Sequence, residues 1–105
     1  MQPITARTSE IAWESAAGYP TGTDWKVLRR GKAGEPQTVL LKIAAGFDMP
    51  AHSHVFVEHH YVISGGYESQ GKQFPAGSYR VIPKHENHGP FRSEQGAEVL
   101  VIWEE

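Results

Sequence analysis

Apolar and polar residues alternate along this chain in short runs, and no stretch sustains a helical period with caps at both ends. Trp25–Arg30, Thr38–Ala44, His54–Ile63, Ser78–Ile82 and Val99–Trp103 are rich in β-branched and aromatic residues and have the length of ordinary strands. Weaker runs of the same kind lie near Ile11–Glu14, Tyr67–Gln70 and Pro90–Ser93. Glycine and proline, 11 and 7 in number, punctuate these runs, and Lys32–Pro36 and Ser69–Gln73 read as hairpin turns. Ala12–Gly18 is alanine-rich but too short to stand as a helix. The pattern predicts an all-β sandwich or barrel.

Composition narrows the chemistry. The 105 residues suit one domain, 1–105, with a core modest enough that a bound metal or a second copy would add stability. The absence of cysteine excludes disulfides, thiolate metal sites and a cysteine nucleophile. A net charge of -2 with no basic run gives no electrostatic case for nucleic acid or an anionic membrane. No apolar stretch is long enough to cross a bilayer, and Met1–Glu10 lacks the regions of a signal peptide, so the expected location is cytoplasmic.

All 6 histidines fall between His52 and His88. On one extended segment, His52, His54, Phe56, Glu58, His60 and Val62 share a face. The His-x-His pair sets two imidazoles roughly 7 Å apart at their Cα atoms, within reach of one ion. Glu58 lies further along that face, and His88 comes from a separate strand or turn to close the site. Three imidazoles and a carboxylate suit Zn, Fe, Mn, Ni or Cu and leave coordination positions open. His60 shares the face as a hydrogen-bond partner, acid–base group or further ligand. His59 points to the other face, and His85, between Lys84 and Glu86, belongs to an exposed turn. Alternation places Phe56, Tyr79, Val81, Phe91, Val101 and Trp103 inward. Phe56, Tyr79, Phe91 and Trp103 are the candidates for a substrate pocket, although most inward positions of a small barrel are core. Arg80 is expected outside, and Trp13 and Trp25 on a sheet face.

These residues resemble a known pattern. Gly46, five residues, His52-x-His54, three residues, Glu58, six residues and Gly65 match the first motif of the cupin superfamily. Gly77, Pro83 and His88 carry the spacing of the second motif, with His85 where that motif has Gly and Arg92 where it has Asn. Val39–Lys42, Phe74–Tyr79 and Arg92–Gly96 are similar to the cupin domain of ChrR-type anti-sigma factors and to acetylacetone-cleaving dioxygenases, a likeness covering about Trp13 to Glu104. The resemblance implies a double-stranded β-helix, a jelly-roll barrel with its core at about 13–104, binding one divalent metal through His52, His54, Glu58 and His88. It also implies a homodimer. Because the chain starts about ten residues before the first expected strand, neither the helical domain of the anti-sigma relatives nor a sigma-factor partner is expected.

Two functions follow. The first is a mononuclear iron(II) dioxygenase acting on a small, diketone-like molecule, with His60 as a base. The second is a zinc-holding sensing or ligand-binding barrel without turnover; Mn2+ and Ni2+ also suit the ligands. Isomerisation or hydrolysis has no specific support, since no phosphate loop or nucleophile–base pair is visible.

Overall fold

The computed structural model describes residues 1–104, so residue 105 of the expected span lies outside the described residues. Nine strands form: β1 (Glu14–Ser15), β2 (Asp24–Arg30), β3 (Pro36–Ile43), β4 (Phe47–Met49), β5 (Val57–Ser69), β6 (Lys72–Pro75), β7 (Tyr79–Ile82), β8 (Phe91–Ser93) and β9 (Ala97–Glu104). Helical structure among the described residues is one 3-10 turn, Thr8–Glu10. The sheet runs β1-β2-β3-β9-β5-β8-β4, with β6 and β7 also paired to β5. It curls into the half-barrel of a jelly roll, as the all-β reading requires.

β5 organises the curl. Its first half pairs with β9 and β7, and its second half with β6 and β8. The register shifts between Val62 and Ser64, where the strand bends. Gly65 follows at φ 68°, and a Cβ there would lie 2.1 Å from the Gly96 carbonyl oxygen, so only glycine permits this crossing. The Ser64-Gly65-Gly66 step reads as a strand end in sequence, yet one strand passes through it. Tyr67–Gln70 is therefore mostly the continuation of β5 rather than a separate strand. The hairpin to β6 turns through Gln70 and Gly71, both at positive φ (53° and 77°), which matches the right-handed twist of the flanking strands.

Strand bounds differ elsewhere for local reasons. β5 begins at Val57 rather than His54, and β1 covers Glu14–Ser15 rather than Ile11–Glu14. β4 and β6 were not expected: Phe-Asp-Met and Lys-Gln-Phe-Pro contain no β-branched residue, and pairing with β8 and β5 makes them strands.

Inside the curl, Leu41, Val99 and Val62 stand opposite one another across β3, β9 and β5, and Val39 faces Val101. Trp25, Ile43, Tyr67 and Phe91 complete this buried cluster. Trp25 is thus core, whereas Trp13 lies outside, beneath the ammonium groups of Lys26 and Lys42 at 4.6 and 5.2 Å. β7 corrects one expectation. Opposed residues on antiparallel strands share a face, and Arg80 opposes His60 while Ile82 opposes Glu58. Arg80 and Ile82 therefore turn inward, and Tyr79 and Val81 point outward, 60% and 50% exposed. Register against β5, not side-chain apolarity, decides the facing. No helix among the described residues is long and apolar enough to cross a membrane.

Candidate metal centre

His52 and His54 do not sit on a strand with Glu58. They lie in the segment between β4 and β5, so the alternation argument is valid only from Glu58 onward. A different device aligns them. His52 and His88 form an isolated bridge, each backbone N–H donating to the other's carbonyl at 2.8 and 2.7 Å. The His85 N–H donates to the His54 carbonyl at 2.7 Å. These bonds clip the segment 52–54 onto the segment 85–88. His85 makes the turn with φ 64°, the left-handed conformation that glycine adopts without cost. The departure from the motif therefore leaves the turn intact, and the His85 side chain is exposed as expected.

The clip brings three rings together. Centroid distances are 4.7 Å for His52–His54, 4.5 Å for His52–His88 and 5.2 Å for His54–His88. Each ring offers one nitrogen within 4.8 Å of the others. His52 Nδ1 lies 3.1 Å from the Pro50 carbonyl; as the N–H donor there, it leaves Nε2 with a free lone pair. His54 Nε2 and both His88 nitrogens are buried with no hydrogen-bond partner among the described residues. Burial, the largest influence, lowers the pKa of both rings, that of His88 to about 4, so both stay neutral near pH 7. Neutral, unpartnered imidazoles are the form that binds metal. Stranding such atoms costs about 1–3 kcal/mol each, and an ion would relieve one nitrogen of each ring. The donor set thus fits a metal.

Glu58, 2% exposed, projects from β5 beside these rings. Its Oε1 accepts from Trp103 Nε1 at 2.6 Å and faces His54 Nε2 at 3.6 Å. Its Oε2 lies 2.9 Å from His60 Nε2 and 3.5 Å from His88 Nε2. Each carboxylate oxygen thus has one close donor and one imidazole nitrogen of the triad. Burial disfavours the charge, but the His60 hydrogen bond and the neighbouring His60, His54 and His88 rings outweigh it and hold the carboxyl at about 2.

His60 is not placed as a free base. With Glu58 ionised, His60 Nε2–H donates to it, and Nδ1 accepts the Tyr67 hydroxyl at 2.7 Å. Arg80 in turn donates to the Tyr67 oxygen at 3.4 Å while its guanidinium stacks 4.2 Å over Phe74. Both His60 nitrogens are committed to a chain that ends on Glu58. His59 points outside, between the Tyr79 hydroxyl and Glu104.

The expected pocket residues separate. Phe56 and Trp103 line a mouth of about 560 Å³ that opens beside His52 and His54. Phe91 is buried beneath the cluster, against His52, His88 and Tyr67, and borders an inner cavity of only about 30 Å³. It is a core wall, because it is an inward-facing residue of β8 and is buried against its neighbours. Tyr79 is on the exterior and lines neither space. Tyr19, unremarked in the sequence, borders both the inner cavity and the mouth. Its Gly18-Tyr19-Pro20 setting carries no motif; only the path of the loop before β2 brings it there.

A model of the family described as ChrR Cupin-like domain matches residues 1–104. No curated protein sequence matches the chain. Among solved structures, the anti-sigma ChrR of Rhodobacter sphaeroides, seen in complex with SigE, is similar with TM-score 0.73 and 24% identity, over 93% of this chain and 52% of that one. The present chain thus spans about half the length of that ChrR chain. A protein of unknown function with a cupin-like fold from Ralstonia eutropha JMP134 gives 0.79 and 26%, over 98% and 73%. An acetylacetone dioxygenase from Acinetobacter johnsonii gives 0.75 and 16%, over 98% and 73%.

Proposed function

The chain belongs to the ChrR cupin-like family, and from that premise we propose that it holds one divalent metal on His52, His54, Glu58 and His88 and transforms a small organic molecule in the adjoining mouth. The observation that carries this reading is the set of buried, unpartnered nitrogens on His54 and His88, gathered with His52 and flanked by Glu58 at 3.6 Å from His54 and 3.5 Å from His88. In its favoured form the protein is an iron(II) dioxygenase acting on a diketone-like substrate, a reading to which the likeness with an acetylacetone dioxygenase lends weight.

Bound there, the ion would supply Lewis acidity and, as iron(II), a site for oxygen chemistry at its open positions. The protein's own residues prepare the setting. Trp103 and His60 fix the two Glu58 oxygens, and Tyr67 and Arg80 fix His60, so the carboxylate is held in one orientation from which it would ligate the ion. Trp103 and Phe56 give the mouth an apolar wall that sheds water and favours an organic ligand. The inner cavity, about 30 Å³, is too small for an organic substrate, which favours chemistry on the mouth side of the ligands. Tyr61, Ile63, Tyr79 and Val81 expose an apolar outer sheet face that supports a homodimer.

The test is oxygen uptake by iron-loaded protein across diketones, catechols and 2-oxo acids. Consumption above background, abolished by His88→Ala, supports the dioxygenase; none across the panel removes it. A second reading, a zinc-holding barrel without turnover that signals to a protein partner, draws on the likeness to ChrR in its sigma-factor complex. On that reading zinc raises the melting temperature and no substrate is consumed.

A further inference from the structure

Tyr19 carries a hydroxyl with no assigned purpose. Its ring packs edge-on against Trp25 at 6.1 Å, and its backbone N–H is satisfied by the Ala16 carbonyl at 3.3 Å. The phenol end finds no hydrogen-bond partner among the described residues, although the residue borders both the inner cavity and the mouth. Tyr19 is half-buried, and a hydroxyl that finds no partner in the fold leaves its hydrogen bond to water or to a ligand entering the mouth. A tyrosine phenol keeps its proton at neutral pH, so this hydroxyl is available there as an O–H donor.

The surroundings restrict what it could meet. Among the described residues no lysine or arginine lines the mouth, and the inward-facing Arg80 is engaged with Tyr67 and Phe74. Among the described residues the carboxylate that lines the mouth is Glu35, whose Oε2 is buried without a partner. Apart from the metal ion itself, a phosphorylated or polycarboxylate ligand would therefore meet a carboxylate and no cationic side chain. A small, largely apolar ligand bearing a carbonyl, enolate or single carboxylate oxygen would meet apolar walls and one donor. We infer that Tyr19 is the ligand-binding hydrogen-bond donor of this mouth, and that it selects such an oxygen-bearing, weakly charged organic molecule beside the metal ligands.

This rests on the metal-site reading, and the experiment separates the two. Zinc affinity is first measured on the full chain, wild type and Tyr19→Phe, by chelator competition. The zinc-loaded proteins are then titrated with 2,4-pentanedione, followed by the fluorescence of Trp25 and Trp103 in the mouth wall. The expected result is equal zinc affinity, a melting temperature unchanged or slightly raised in Tyr19→Phe, and diketone binding weakened about 5- to 50-fold. Equal diketone affinity in the two proteins, or no saturable binding to zinc-loaded wild type, overturns the inference while leaving the metal site standing. Failure of wild type to bind zinc instead removes the metal reading and this one with it. A variant-free readout is the Tyr19 ring resonances of wild type, which should shift on adding the diketone; unmoved resonances contradict the assignment.

Discussion

Replacing Trp103 with Phe removes one donor and leaves the fold's shape nearly intact. Trp103 Nε1 donates to Glu58 Oε1 at 2.6 Å, and that carboxylate is 2% exposed. A hydrogen bond to a buried charge is worth about 1.5–2 kcal/mol, since the oxygen it abandons has no water to turn to. Trimming indole to phenyl gives up about 1 kcal/mol of buried apolar area. The metal-free protein should therefore lose about 2.5–3 kcal/mol, or about 10–12 °C of melting temperature for a domain of this size. Metal affinity should fall about 10- to 100-fold, because the carboxylate is no longer held. Chemical unfolding of the metal-free chain at pH 7.5 measures the first effect, and chelator competition the second. A double-mutant cycle with Glu58→Leu isolates the contact and should return a coupling of about 1–3 kcal/mol. Strict additivity, or an unaltered metal affinity in Trp103→Phe, would refute the claim that Trp103 positions Glu58.

Two further outcomes are expected. His85→Gly should stabilise the protein by about 1 kcal/mol in thermal unfolding, because His85 occupies a left-handed φ of 64° without the freedom glycine has there; a loss of stability would mean that its side chain has a role. Acid should weaken the metal-free fold. His54 and His88 have folded pKa values below the ordinary histidine value, and Glu58 lies at about 2, below the ordinary carboxylate value. For all three the unfolded chain takes up protons first, so stability present at neutral pH drains as pH falls below about 6.5 and further below about 4.5. A melting temperature that stays level or rises from pH 7 to pH 4 would contradict this.

The sequence exposed some of this arrangement and hid the rest for definite reasons. The all-β class was legible because β-branched and aromatic runs between glycines have few other homes. The gathering of His52, His54 and His88 was legible from spacing, with Glu58 beside His54 and His88, although the assumed cause, one continuous strand face, was not the one at work. His52 and His54 align through backbone bonds to His88 and His85, a long-range pairing that no local periodicity encodes. Tyr79 and Arg80 were read the wrong way round because alternation fixes relative facing and only the register with β5 fixes the absolute sense. The chain from Arg80 through Tyr67 to His60 joins residues brought together by the bend at Gly65, which reads as a strand end. Tyr19 stands on a loop whose course is set by the barrel and not by its own residues.

Metal stoichiometry tests the central claim most directly. Protein purified without an affinity tag, reloaded with iron(II) or zinc and desalted, should carry about one equivalent of metal, with the His52→Ala, His54→Ala double variant carrying none while remaining folded at low temperature. Metal absent from both proteins after reloading, or retained by the double variant, would contradict a centre built on His52, His54, Glu58 and His88.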